Sequence, residues 1–441
     1  MNRREFIKTG GSAAALLLAP RAWAAEYSGS KQSNEDILSQ CAARIEKGRK
    51  GDGVIFVKNA SGKAIAGVRL KIEQVRHDFL FGCNCFLFGR SGKPEFEEAY
   101  RERFSAIFNY STLGFYWNSY EPMQGKPNYA YTEQVAEWTR NHGITCKGHP
   151  LVWDHPASSP RWLPGDLKEI QRLSDARVKD IVSHFKGRID IWDVVNEPTH
   201  LADKFNKTKM AEFGASVGAI AYTSQPLNIA REVNPKAILL VNDYRTDPAY
   251  YRILSSLKKD EKYLFDTVGI QSHMHDRLWS ARKVWEVCDT FAKLGQPLHF
   301  TETTILSGPR NGPGENWGAT TAEGEAKQAE QTVNFYMTLF AHSSVQAITW
   351  WDFSDHGAWQ RAPAGWLRSD MSPKPVYERM MGLIKGQWWT NVDGITNARG
   401  EFKTRAYFGK HRLTAELPNG KTITKEVHWQ RGNENRFELM V

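Results

Sequence analysis

From about residue 78 onward, short apolar runs alternate with longer stretches in which apolar positions return every three or four residues. The runs at 79–85, 111–115, 145–149, 189–195, 237–242, 267–271, 297–301 and 347–351 read as strands. Near-continuous apolar runs suit strands covered on both faces. The stretches at 133–142, 175–185, 227–233, 281–294 and 329–341 carry the helical period. Eight strands with helices between them predict a parallel sheet. In about 300 residues the arrangement that fits is a closed (β/α)₈ barrel. An open doubly wound sheet is the alternative, but it normally carries a glycine-rich phosphate loop after its first strand, and none is present.

The flanks follow other patterns. A helical signal at 35–47 is followed by strand signals at 53–57 and 68–75. The turn residues Asn59-Ala60-Ser61-Gly62 lie between them and predict a hairpin. Two strands alone bury too little to be stable, so this hairpin must pack on something else. After Trp388 come short alternating runs, with Pro418-Asn419-Gly420 as one of the turns. They predict a small all-β module, which the N-terminal hairpin could join to make one accessory sandwich from both ends. The first 25 residues read as an export leader: Arg3 and Arg4 followed by Phe6-Ile7-Lys8, a short apolar run, and Ala22-Trp23-Ala24. The paired arginines resemble a twin-arginine signal. The expected division is therefore 1–25 leader, 26–77 helix and hairpin, 78–386 barrel, and 387–441 β module.

Composition narrows the function classes. Nothing beyond the leader is long and apolar enough to span a membrane. The formal charge is +9, spread along the chain with no Lys/Arg block, which argues against nucleic acid as a partner. Five cysteines (Cys41, Cys83, Cys85, Cys146, Cys288) form neither a metal spacing nor an even framework, and free buried thiols are expected. The 16 Trp, 15 Tyr and 22 Phe serve packing first, but flat rings also stack on sugar faces.

Barrel enzymes carry their reacting groups where the strands end. Here those ends read Gly148-His149 through Trp153, Asn196-Glu197, Asn242-Asp243-Tyr244, Gln271-Ser272-His273-Met274-His275, Thr301-Glu302 and Trp351-Asp352. One end of the barrel thus collects two glutamates with imidazoles, amides and indoles. Two carboxyls across a cleft suit glycoside cleavage, since the leaving oxygen needs a proton and the anomeric carbon needs a nearby negative charge. Glu197 is expected as acid/base and Glu302 as nucleophile, with the charge of Glu302 raising the pKa of Glu197. His149, His273 and His275 lack helical zinc-ligand spacing and are better read as hydrogen-bonded cleft residues. Asp193 and Asp243 read as structural acceptors, and Trp350 as core.

These motifs together resemble glycoside hydrolase family 10, the endo-1,4-β-xylanase family, over about residues 78–385. The most specific is Trp192-Asp193-Val194-Val195-Asn196-Glu197. The resemblance implies that Glu197 is the acid/base, that Asn196 contacts the sugar 2-hydroxyl, and that Glu302 is the nucleophile, although Leu298-His299-Phe300-Thr301-Glu302-Thr303 departs from the usual wording. It also implies that His149 and Trp153 line the cleavage subsite, that Gln271 belongs to the site, that His273 supports the nucleophile, and that Trp351 and Trp359 wall the sugar. The family's Glu-Asn-Glu-Met-Lys-Trp is replaced here by Thr112-Leu113-Gly114-Phe115-Tyr116-Trp117. Tyr116 stands where the sugar-binding lysine would be, so the cleavage machinery is expected to be complete, and the glycone stays open between xylose and another sugar. The expected partner is a polysaccharide or oligosaccharide. No cofactor or metal is implied, because two carboxyls and water suffice.

Overall fold

The computed structural model describes residues 32–203, 205–312, 316–417 and 419–441, and the expected leader lies outside them. Two strands, β1 (Lys50–Lys58) and β2 (Arg69–His77), precede the barrel. Its wall is β3 (Leu80–Asn84), β4 (Tyr110–Gly114), β5 (Thr145–His149), β6 (Ile191–Asn196) and β7 (Ile238–Asp243). After a small antiparallel pair, β8 (Lys258–Lys259) and β9 (Lys262–Tyr263), it continues with β10 (Thr267–Met274), β11 (Leu298–Ile305) and β12 (Val345–Trp350). Neighbours pair in parallel all the way round, and β12 closes onto β3. Every residue of β6, β7 and β11 is buried, and the covering of both faces is why Ile238-Leu239-Leu240-Val241 of β7 is apolar without alternation.

The surrounding helices bury one stripe each. Ala281–Ala292 turns Val284, Trp285, Val287, Cys288 and Phe291 inward, and Ser280 caps it by accepting from the Lys283 amide. Helix Lys209–Val233 is far longer than the expected 227–233, and it breaks at Gly218, whose φ is +79°. Its first half is rich in glycine and alanine, which leaves little polar contrast for a period to register.

Two strands also outrun their sequence signal. β10 and β11 continue to Met274 and Ile305, and pair there as Gln271↔Glu302 through Met274↔Ile305, after a register shift between Ile270 and Gln271. Polar residues end the apolar runs while the backbone stays extended. Gln271, His273 and Glu302 therefore lie within strands, not in the loops after them.

The expected hairpin does not form. β1 and β2 enter different sheets of a sandwich completed by β13 (Asn391–Ile395), β14 (Glu401–Tyr407), β15 (Gly409–Glu416), β16 (Thr422–Trp429) and β17 (Asn435–Met440). One sheet runs β14-β1-β17 and the other β13-β2-β15-β16. Separation lets Ile55 and Val57 of β1 face Leu70 and Ile72 of β2 across a core shared with Leu413 and Trp429, burial that a two-strand ribbon cannot provide. A Cβ at Gly53 would lie 2.1 Å from the Trp429 ring, so glycine is required there.

The N-terminal helix, Asn34–Arg49, belongs to the barrel instead. Its Ile37, Cys41 and Ile45 join the barrel core. At its end, buried Arg49 donates to the carbonyls of Phe340 (2.6 Å), His342 (2.7 Å) and Val345 (2.9 Å). The sandwich sits at the N-terminal ends of the barrel strands: β2 leads directly into β3, Arg76 bonds Thr145 at the start of β5, and His428 bonds Asp78 at 2.7 Å. All five cysteines are buried and unpaired, and among the described residues no helix is long and apolar enough to cross a membrane.

Candidate active site

At the opposite end, β6 finishes in Asn196 and the chain turns at Glu197 with φ +55°. That left-handed conformation is costly for a residue with a Cβ and gathers at functional sites. It is held by the Glu197 amide donating to the Asn242 carbonyl at 2.7 Å. The turn swings the carboxyl inward, where Gln271 Nε2 donates to Oε1 at 2.8 Å and Trp153 Nε1 to Oε2 at 3.0 Å. Three strands further round the wall, Glu302 Oε1 accepts from Asn242 Nδ2 at 2.7 Å, and His273 Nε2 lies 3.1 Å from Oε2. Both acids are buried, Glu197 8% exposed and Glu302 4%.

The two carboxyls are linked through amides. Asn242 Nδ2 donates to Asn196 Oδ1 at 2.8 Å as well as to Glu302, and Gln271 Nε2 reaches both Asn196 Oδ1 (3.3 Å) and Glu197. Thr304 Oγ1 sits 2.7 Å from His273 Nδ1, so its hydroxyl can donate there and leave Nε2–H for Glu302. Below Glu302, His149 Nε2 lies 3.9 Å from its Oε1, while His149 Nδ1 is 2.8 Å from Asp193 Oδ2. Asp193 also takes an ion pair from Lys147, with neither side chain exposed. Asp193 is thus the anchor that orients His149.

The surroundings push the two acids apart. Burial raises the Glu197 carboxyl to about 7, opposed by the charge of His200 and the bond from Gln271, and assisted by the charges of Glu302 and Asp243. The expected cause, Glu302, contributes, but burial is the larger effect. Burial also acts to raise Glu302, yet the charge of His149, the bond from His273, and the charges of His273 and Lys147 outweigh it and hold that carboxyl below its ordinary value.

Rings close the cleft. Trp351 is buried, edge-on to Phe86 (5.4 Å), His149 (5.5 Å) and His273 (5.7 Å). Trp359 is 45% exposed and lies 4.7 Å from His273. Tyr116 packs beside His149 (5.7 Å) and Trp153 (6.0 Å), its hydroxyl pushed well up by burial and by the charges of Glu302 and Glu197. All ten expected site residues therefore meet at one mouth.

Others join them that sequence reasoning passed over. Asn242 reads in the sequence only as part of a strand motif, yet it bonds the nucleophile candidate. Asp352, raised to about 7 by burial, accepts from the Trp359 amide at 3.2 Å. His200 and Asp154 lie behind Glu197. The sole cue to His200 is its position three residues after Glu197. Among the described residues no group of three His, Cys, Asp or Glu is arranged to hold a metal.

Comparison with known proteins points to one family. The model of glycosyl hydrolase family 10 matches residues 86–382. Endo-1,4-beta-xylanase B of Thermotoga neapolitana is 28% identical over 305 residues, covering 65% of this chain and 84% of the relative. Anti-sigma-I factor RsgI6 of Acetivibrio thermocellus is 25% identical over 402 residues, covering 90% of this chain and 49% of its own. Endo-1,4-beta-xylanase 5-like of Arabidopsis thaliana is covered to 47%, so the chain spans about half the length of these last two relatives. The crystal structure of xylanase 10B from Thermotoga petrophila RKU-1 in complex with xylobiose shares the fold, with a TM-score of 0.59 over 70% of this chain and 95% of that one at 24% identity. The family match takes in the whole mouth from Phe86 to Trp359, and the chain belongs to glycosyl hydrolase family 10.

Proposed function

We propose that this protein is a retaining glycoside hydrolase that cleaves β-1,4-linked xylan or a related plant cell-wall polysaccharide by double displacement. The observation that carries the proposal is the pair of buried glutamates bridged by Asn196, Gln271 and Asn242, one environment favouring the protonated acid and the other the carboxylate. Glu197 gives its proton to the leaving oxygen while Glu302 attacks the anomeric carbon. With the charge of Glu302 consumed in the ester, Glu197 ionises more readily and takes a proton from the water that hydrolyses the intermediate. The xylanase relatives and the xylobiose-bound neighbour support xylan as the substrate class.

A second reading, the same reaction on a different glycone, is favoured by Tyr116 in place of a lysine. A phenol offers one neutral donor where an ammonium offers three and a charge. A panel of aryl β-glycosides tests both readings: turnover of xyloside or xylobioside supports the first, and turnover only of other sugars the second. A folded protein that turns over none is a binder, not an enzyme. Glu302→Ala is expected to abolish turnover with the circular dichroism spectrum unchanged, and retained activity removes Glu302 from the nucleophile role. We also propose export by a twin-arginine route, on the strength of the first 25 residues.

A further inference from the structure

Glu197 has a partner that this chemistry leaves unused. The His200 ring is 5% exposed and packs on Phe205 (4.9 Å) and Tyr244 (5.2 Å). Its Nδ1 lies 3.1 Å from Glu197 Oε2, the oxygen that also accepts from Trp153. Asp154 Oδ1 stands 3.7 Å from the same nitrogen. Asn206 Nδ2 lies 3.4 Å from His200 Nδ1 and donates to Asp154 Oδ1 at 2.9 Å. The other Asp154 oxygen is buried with no partner.

The ionisable groups around this imidazole come from three strand ends: Asp154 and His155 after β5, Glu197 after β6, and Asp243 and Tyr244 from β7 into its loop. Glu302 faces Glu197 from β11. Three carboxyls converge on one imidazole, so a proton on His200 is favoured by its setting.

Within the glycosidase reading, on which this rests, we propose that His200 is a positioning residue for the acid/base: it grips Oε2 of Glu197 and, backed by Asp154, supplies the positive charge that receives the carboxylate. In the first half-reaction the Glu197 proton passes to the leaving oxygen as the glycosidic bond breaks and the Glu302 ester forms. The new Glu197 carboxylate then lies against imidazolium. In the second half-reaction water delivers a proton to Glu197 as its oxygen bonds the anomeric carbon and Glu302 departs. His200 keeps its own proton throughout. The electrostatics agree in direction. Burial pulls the His200 pKa down, but the Asp154 carboxylate at 3.7 Å and the charges of Glu197 and Asp243 lift it above the ordinary value.

The test uses the full chain as His200→Ala and as His200→Gln, the second keeping bulk and a neutral donor should the first fold poorly. The ¹³C carboxyl titration of Glu197, assigned by its loss in Glu197→Gln, is expected to move from about 7 to higher pH by about one unit in both variants. For an aryl xyloside with a good leaving group, kcat at about pH 5.5 is expected to fall about tenfold while kcat/KM holds, because less Glu197 is ionised to act as base and no less is protonated to act as acid. A titration midpoint within about 0.3 unit of the parent, or equal loss of kcat and kcat/KM at every pH, overturns the proposal. Should the parent chain hydrolyse no glycoside while the midpoint still moves, the glycosidase reading fails and the Glu197–His200 pairing stands.

Discussion

Beneath the cleft, Lys147 and Asp193 form an ion pair inside the barrel with neither side chain exposed. Asp193→Asn strips the ammonium of its counter-charge where no water can replace it. Breaking one half of such a pair costs about 3–5 kcal/mol. The same change weakens the anchor of His149 Nδ1, now 2.8 Å from Asp193 Oδ2, so activity is expected to fall with stability. Burial raises the Asp193 pKa, but Lys147 and His149 outweigh it and hold the carboxyl below its ordinary value. The stability it contributes is therefore present above the unfolded range, about pH 4, and disappears as pH drops through the lower folded value. Adding Lys147→Met removes the orphaned charge and is expected to restore most of the stability, since an apolar side chain replaces a buried pair at little net cost. Activity does not return, because His149 stays unanchored. Glu302 also loses the pull of Lys147, and the acid limb of the pH–rate profile moves upward. Urea unfolding followed by circular dichroism, alongside kcat/KM against pH, reads both effects. A single-variant loss under about 1 kcal/mol, or a double variant no more stable than the single one, refutes the reasoning.

Two further outcomes are expected. Tyr116→Lys sets an ammonium among Glu302, Glu197 and Asp352, the carboxylates that now act on the Tyr116 hydroxyl. The alkaline limb, governed by Glu197, should then shift to lower pH, and the ratio of xyloside to other aryl glycoside turnover should change; an unaltered profile places residue 116 outside the cleft's electrostatics. Trp429→Ala empties the sandwich core and orphans the Gly51 carbonyl that Trp429 Nε1 now reaches at 2.9 Å. Stability is expected to fall by about 3–5 kcal/mol while kcat at low temperature stays unchanged, because the sandwich packs at the far end of the barrel; a proportionate loss of kcat contradicts that placement.

Much of this protein is written locally. A strand covered on both faces is apolar over most of its length, so the barrel's eight runs stand out against helices that show one stripe. The segment from Trp192 to Glu197 likewise carries its chemistry in consecutive residues. Tertiary structure decided what depends on distant partners. β1 and β2 read as a hairpin because a turn lies between them, yet each finds more to bury in strands hundreds of residues away. β10 and β11 outlast their apolar runs because they pair with each other, which brings Gln271 onto Glu197 and His273 onto Glu302. Burial, more than the neighbouring charge, sets the acid/base apart from the nucleophile, and burial belongs to the assembled mouth, not to any short segment. Lys147, Asp154 and His200 look like ordinary polar positions along the chain. Only in the closed barrel does each acquire an opposite charge within reach and too little water to screen it.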